Sequence, residues 1–130
     1  MNSLTSIRKK LAGLLDSQIA ILDGAMGTMI QAYDLQEKDY RGKQFSNWSM
    51  DLKGNNDLLS ITQPKIIEAI HKEFLVAGAN IIETNTFNSN APSMADYNMA
   101  DLVHDLNFSA AQIARKAVDN FGKKSHFHHF

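Results

Sequence analysis

Apolar residues in this chain follow two patterns, a helical repeat and short continuous runs. The helical repeat predicts an amphipathic helix over residues 3–15 and two longer helices, one beginning near Pro64 and one over residues 100–121. The continuous runs, Ile19–Leu22 and Ala79–Glu83, are typical of buried strands. The order of strand, helix and strand predicts a βαβ unit, in which the two strands run parallel.

The helix near Pro64 has recognisable start and stop signals. Thr62 is the expected N-cap, Pro64 fits the first turn, and Gly78 is the expected stop. His71 stands off the apolar stripe of this helix, so we expect it at the surface without a catalytic role.

A long irregular stretch, residues 29–56, separates the first strand from this helix. It is mostly polar, but Phe45 and Trp48 have apolar area to bury, which indicates an ordered excursion rather than disorder. The cluster Lys53–Asp57 is interpreted as the turn that closes the excursion.

Composition narrows the class of protein. The 130 residues fit one domain, and their 44% hydrophobic content suffices for a core. The net charge of -1 gives no reason to expect nucleic acid or a membrane as a partner, and no apolar run approaches the ~20 residues that span a bilayer. The absence of cysteine excludes disulfides, a thiolate nucleophile and a cysteine-ligated metal within the chain. A soluble, cytoplasmic protein is expected.

Two acidic residues end the predicted strands and are the first candidates for chemistry. Parallel order would place Asp23 and Glu83 at the same end of the sheet, beside a glycine-containing turn that begins at Gly24 and close to Asn85. Three uses of the acids remain open at this point. They could share a ligand ammonium, act as a general acid and base pair, or form an oxygen-ligated metal site.

The last eight residues, 123–130, form an atypical tail. His126, His128 and His129 could bind a divalent metal adventitiously, since imidazole suits zinc, copper and nickel. We interpret the tail as a cloned or frame-shifted end, or the edge of a fragment, and give it no function.

Four stretches in order resemble the start of the cobalamin-dependent methionine synthases. They are Leu22–Gln31, Asp51–Leu59, Ala77–Ser89 and Met94–Tyr97, and with the long helix the resemblance covers about residues 19–120. It implies an α/β fold, namely a partial (β/α)8 TIM barrel with the first strands and helices only. The implied organisation is an N-terminal helix at 1–18, the first portion of a homocysteine-binding barrel at 19–122, and the tail at 123–130.

The resemblance also implies a function. In this family a zinc-bound homocysteine thiolate takes a methyl group from methylcobalamin, which methyltetrahydrofolate recharges on a second module. The implied substrate-binding residues are Asp23, Gly24, Ala25, Met26, Glu83 and Asn85. This favours a shared ammonium as the use of the two acids.

The family's zinc is held by three cysteines, and this chain has none. We therefore expect no metal ligands and no catalytic residues in the chain, no complete zinc or cobalamin site, and no methyl transfer by the chain alone. The expected partners are homocysteine, the remainder of the barrel, and the folate and cobalamin modules. The alternatives are a homocysteine methyltransferase that uses a betaine or S-methylmethionine, and a truncated, non-catalytic binding piece.

Overall fold

The computed structural model describes residues 3–125, and helices account for its regular structure. The helices are α1 (Ser3–Ser17), α2 (Met26–Gln31), α3 (Glu37–Arg41), α4 (Leu59–Thr62), α5 (Pro64–Val76), α6 (Ala91–Ala95) and α7 (Val103–Ser125), with short 3-10 turns at Asn56–Leu58 and Ala100–Leu102. None of these helices combines the length and the apolar character needed to cross a bilayer.

The predicted α/β fold, a partial (β/α)8 TIM barrel, is wrong for this structure. Within residues 3–125 there is no strand; the two apolar runs meet only at an isolated parallel bridge between Leu22 and Ile81. The Asp23 N–H donates to the Ile81 carbonyl at 3.0 Å, and the Ile81 N–H donates to the Ile21 carbonyl at 3.2 Å.

The reason lies in the missing neighbours of the two runs. An isolated pair of strands is marginally stable, and parallel pairing is slightly the weaker kind per residue. The side chains expected inside a sheet are instead in solvent, with Ile19 88% exposed and Ile21 56% exposed. Residues 3–125 therefore form a helical structure with one isolated bridge.

The core lies where α5 and α7 pack against each other, the most extensive helix contact in the structure. Ile67 and Ile70 of α5 and Leu106 of α7 are wholly buried. Their spacing of three or four residues within each helix is the repeat read from the sequence. Further buried apolar side chains come from the other segments: Ile30, Tyr40, Phe45, Leu52, Leu58, Leu59, Met94 and Met99.

The boundaries of α5 and α7 differ from their prediction. Thr62 ends α4 instead of capping α5, because residues 56–62 already form helical turns, and its hydroxyl contacts the Leu58 carbonyl at 3.4 Å. Gly78 follows the end of α5 with φ +111°, as a helix stop requires. The long helix is predicted to end at residue 121, but α7 continues to Ser125.

Helix α1 forms over the predicted residues, but its apolar stripe is not covered. None of its residues is buried, and Ile7, Leu11 and Leu15 are all exposed.

The excursion between α2 and α4 is ordered, as predicted, and the ion pair between Glu37 and Arg41 organises it. The Glu37 carboxylate accepts the Leu52 and Lys53 N–H groups at 2.8 Å and the Arg41 Nε–H at 2.6 Å. Arg41 also donates to the carbonyl of Trp48 at 2.8 Å. These bonds fold residues 41–53 back over α3.

The Glu37 site should make stability fall in acid. Burial alone would raise the pKa of Glu37, but the Leu52, Lys53 and Arg41 hydrogen bonds and the Arg41 charge outweigh it and hold the pKa below its usual 4.5. A lowered folded-state pKa gives stability that is present above about pH 4.5 and is lost as the pH falls through the folded value. We expect Glu37→Gln to lower the free energy of unfolding by about 1–2 kcal/mol at neutral pH and to flatten its decline in acid.

Urea unfolding at neutral pH and near pH 3 tests this expectation. The exposed Glu73 of α5 supplies the matched control, Glu73→Gln, which should keep the wild-type pH dependence. Equal pH dependence in wild type and Glu37→Gln would contradict the assignment.

Candidate functional site

The bridge brings the two predicted acids to the same end of their segments. The Glu83 N–H donates to Asp23 Oδ2 at 3.0 Å, so the Asp23 carboxylate lies against the backbone of the second segment. The other Asp23 carboxylate oxygen accepts no hydrogen bond from residues 3–125. Asp23 is half-buried and the side chain of Glu83 is exposed. One oxygen of Asp23 therefore remains open for a donor from outside the described chain.

The turn after Asp23 exposes main-chain donors. Gly24 and Ala25 are exposed, and neither backbone N–H donates to another described residue. A Cβ on Gly24 would lie 3.0 Å from Phe74 Cε1, a tight contact, so the turn approaches α5 closely at this glycine. Helix α2 then begins at Met26.

Asn85 takes a different position from the two acids. Its side chain is buried, and its Nδ2 donates to the Asn56 carbonyl at 2.9 Å and contacts Ser60 Oγ at 3.3 Å. Its Oδ1 has no partner among the described residues. The amide of Asn85 thus ties the second segment to the 3-10 turn that precedes α4.

Next to Asn85 lies a cavity of about 340 Å³, within the size range of small-molecule pockets. Two predicted site residues, Met26 and Asn85, line it; Asp23, Gly24, Ala25 and Glu83 do not. The other lining residues are mainly amides, carboxylates and soft or aromatic side chains: Gly27, Gly54, Asn55, Asn56, Asp57, Phe87, Asn88, Ser93, Met94, Asp96 and Tyr97. Two of the predicted site residues therefore line the cavity, and the other four lie at the bridge and at the turn after Asp23.

Sequence reasoning missed the polar wall of this cavity. Asp57 is 3% exposed, and its Oδ2 accepts the Asn88 N–H at 2.9 Å and the Ser89 hydroxyl at 2.6 Å. Asn55 is equally buried and directs its Nδ2 at the sulfurs of Met94 and Met99. These residues belong to the cluster that was interpreted only as a turn. The sequence signal that could have identified this polar wall is the run Asn55–Asp57, three amide and carboxyl side chains directly before the apolar Leu58.

The surface position predicted for His71 is also wrong. Its side chain is 0% exposed, and neither ring nitrogen has a hydrogen-bond partner in the described structure. Burial lowers the pKa of His71, and the negative charge of Asp23 partly opposes that shift. His71 falls four residues after Ile67 and three before Phe74, so helical spacing could have placed it on the buried face.

The described residues do not fit the zinc that the resemblance to methionine synthases implies. The chain has no cysteine, and residues 3–125 contain no group of three or more histidine, cysteine, aspartate or glutamate side chains that could hold a metal. The histidines considered for adventitious metal binding, His126, His128 and His129, lie outside the described residues. An oxygen-ligated metal at Asp23 and Glu83 is therefore not supported.

The arrangement at Asp23 suits a small zwitterion. An open carboxylate oxygen can accept an ammonium, and the unpaired N–H groups of Gly24 and Ala25 can donate to a carboxylate. One comparison with known proteins bears on this chemistry: a family model described as homocysteine S-methyltransferase matches residues 20–128.

Proposed function

Because the chain belongs to the homocysteine S-methyltransferase family, we propose that it supplies part of the homocysteine pocket of a cobalamin-dependent methionine synthase. The observation that carries the proposal is the Asp23 turn, where a carboxylate with one open oxygen stands beside two unpaired backbone donors. A cytoplasmic location goes with this proposal.

In the proposed complex, the Asp23 carboxylate accepts the homocysteine ammonium. The N–H groups of Gly24 and Ala25 donate to the ligand carboxylate, and the exposed Glu83 adds negative charge near the ammonium. The ligand side chain extends toward Met26 and Asn85. Met26 follows the turn and Asn85 follows the second segment, and both line the cavity. Methionine sulfur is a polarisable neighbour that suits a thiol.

Activation of the thiol is proposed to come from outside this chain. The resemblance to methionine synthases implies zinc and cobalamin, but the donor set described above does not fit zinc. We therefore propose that the remainder of the homocysteine-binding unit, with folate and cobalamin modules, completes the enzyme. The chain's own residues bind and orient the amino-acid end of the substrate.

The test is a titration of the 15N-labelled chain with homocysteine, followed by NMR. We expect the amide signals of Gly24, Ala25 and Glu83 to move at millimolar ligand. Asp23→Asn should weaken binding at least tenfold, about 1.4 kcal/mol, because it removes a charged acceptor. The matched control is Asp16→Asn, since Asp16 is an exposed carboxylate on α1.

A second ligand separates ammonium binding from nonspecific thiol contact. 4-Mercaptobutanoate has the same thiol and carboxylate but no ammonium, so it should bind weakly to wild type and be insensitive to Asp23→Asn. Equal affinity of wild type and Asp23→Asn for homocysteine, with both folded by their NMR spectra, would refute the proposal.

A further inference from the structure

The cavity beside Asn85 contains a buried carboxylate without a counter-ion. Asp57 lines this cavity and is 3% exposed. No lysine, arginine or histidine of the described chain forms an ion pair with it. The residues that line the cavity include a second carboxylate, Asp96, and no basic side chain. Because buried charges in proteins are paired, the cavity is suited to a cation supplied by a ligand.

Asp57 also keeps one carboxylate oxygen open. Its Oδ2 accepts the Asn88 N–H and the Ser89 hydroxyl, but its Oδ1 accepts no hydrogen bond from a described residue. Among the described residues, the polar side-chain atoms that are both sealed from solvent and unpaired are the two ring nitrogens of His71. Oδ1 of Asp57 is unpaired but not sealed, so a molecule in the cavity can reach it.

Two buried asparagines add open acceptors to the same cavity. Asn55 is 3% exposed and Asn85 is 6% exposed, and both line the cavity. Each uses its Nδ2 within the fold, Asn55 toward methionine sulfurs and Asn85 to the Asn56 carbonyl, and neither Oδ1 has a partner among the described residues. Neither oxygen is sealed from solvent. The bond to Asn56 joins Asn85 to the turn that carries both Asn55 and Asp57, so the three open oxygens belong to one part of the fold.

We propose that this cavity binds a small primary aliphatic ammonium. Such a group carries one positive charge and three N–H donors. The charge complements the Asp57 carboxylate, and the three donors match the open Oδ1 atoms of Asp57, Asn55 and Asn85. Hydrogen bonds between charged groups are the stronger kind, so the contact to Asp57 should contribute most to affinity.

The rest of the cavity fits the alkyl part of an amine. Met26, Met94 and Tyr97 line it, and its volume of about 340 Å³ far exceeds the space that a bare metal ion needs. The site is separate from the proposed ammonium acceptor Asp23 and from Gly24, which do not line the cavity. The proposal therefore does not rest on the proposed function.

The probe is n-butylammonium, which lacks the carboxylate that the turn after Asp23 is proposed to bind. In an NMR titration of the 15N-labelled chain, we expect the side-chain amide signals of Asn55 and Asn85 to move and saturate. Asp57→Asn keeps an acceptor oxygen but loses the charge, and it should weaken binding about tenfold. The matched control is Asp51→Asn, since the Asp51 side chain is 95% exposed. Equal affinity of wild type and Asp57→Asn would refute the proposal.

Two further ligands test the chemistry of recognition. Tetramethylammonium has the same charge but no N–H donor, and 1-butanol has the same alkyl chain but no charge. Both should bind about tenfold more weakly than n-butylammonium. Tetramethylammonium binding as tightly as n-butylammonium would show that the open oxygens of Asn55, Asp57 and Asn85 do not recognise an N–H group.

A cavity-filling variant tests the location without changing Asp57. Gly27 lines the cavity, and a Cβ on it would lie 3.8 Å from Asn56 Nδ2, an ordinary contact. Gly27→Leu should therefore fill the cavity and abolish n-butylammonium binding. The control Gly13→Leu lies on α1, where a Cβ would meet nothing within 4 Å, and should bind as wild type does. Unchanged binding by Gly27→Leu would place the amine elsewhere and overturn the proposal. Should Asp57→Asn fail to fold, Gly27→Leu and the tetramethylammonium comparison retain the test.

The two proposals of this article fail separately. Homocysteine that leaves the Gly24 and Ala25 amide signals unmoved refutes the proposed function, and the n-butylammonium result still stands. A wild-type chain whose Asn55 and Asn85 side-chain signals do not respond to n-butylammonium refutes the amine site and leaves the Asp23 test unaffected. Because the homocysteine side chain is proposed to reach the same cavity, the two titrations use separate samples.

Discussion

Replacement of Asp57 with alanine is expected to lower the free energy of unfolding by about 2–4 kcal/mol. The Asp57 carboxylate is buried and accepts the Asn88 N–H and the short Ser89 hydroxyl bond of 2.6 Å. Removing it leaves both donors without a partner inside the fold. These bonds fasten the loop after Asn85 to the helical turns at 56–62, so their loss also frees one wall of the cavity.

Urea denaturation measures the decrease in the free energy of unfolding, and two further variants serve as comparisons. Asp51 is a carboxylate on the same excursion that is 95% exposed, so Asp51→Ala should change stability by less than about 0.5 kcal/mol. Ser89→Ala removes one of the two donors and should fall between Asp51→Ala and Asp57→Ala. An Asp57→Ala protein as stable as Asp51→Ala would show that the two bonds to Asp57 contribute nothing.

The helices of this fold follow from sequence more readily than its bridge does. Helix α5 is recognisable from Ile67, Ile70 and Pro64, because helix formation and amphipathic spacing are local properties. Strand formation is not local, since Ile19–Leu22 needs paired neighbours that its own residues do not encode. The sequence shows the apolar run, but whether the run forms a strand depends on the segments that pair with it.

In the candidate site, too, some features could be predicted from the sequence and others depend on tertiary packing. The closeness of Asp23 and Glu83 follows from the helix between two extended segments, and the structure brings them together; their use in ligand binding stays a prediction. Asp57 and His71 were missed because their importance comes from burial. Which polar side chain is enclosed depends on tertiary packing, and a single sequence shows it only indirectly.

We also expect the chain alone, supplied with zinc and methylcobalamin, to form no methionine from homocysteine above the rate without protein. A free thiol with a pKa of about 8.5 is only about 3% thiolate at pH 7, and the thiolate is the nucleophile. A metal can hold a thiol deprotonated, but only if the protein fixes the metal beside it. This chain offers no cysteine, and its described residues offer no three-ligand group. Asp23 and Glu83 carry negative charge, which disfavours a thiolate near them rather than stabilising one.

The measurement follows methionine formation at increasing concentrations of the chain, with a zinc-containing member of the family as the positive control. A rate that rises with the chain and disappears when a chelator is added would contradict the expectation, because the chain would then be forming a metal site of its own. The same samples can be titrated with homocysteine by NMR. Ligand binding without turnover is the combination that a chain supplying only the amino-acid end of the pocket should give, since positioning the ammonium and activating the thiol are separate tasks carried by different residues.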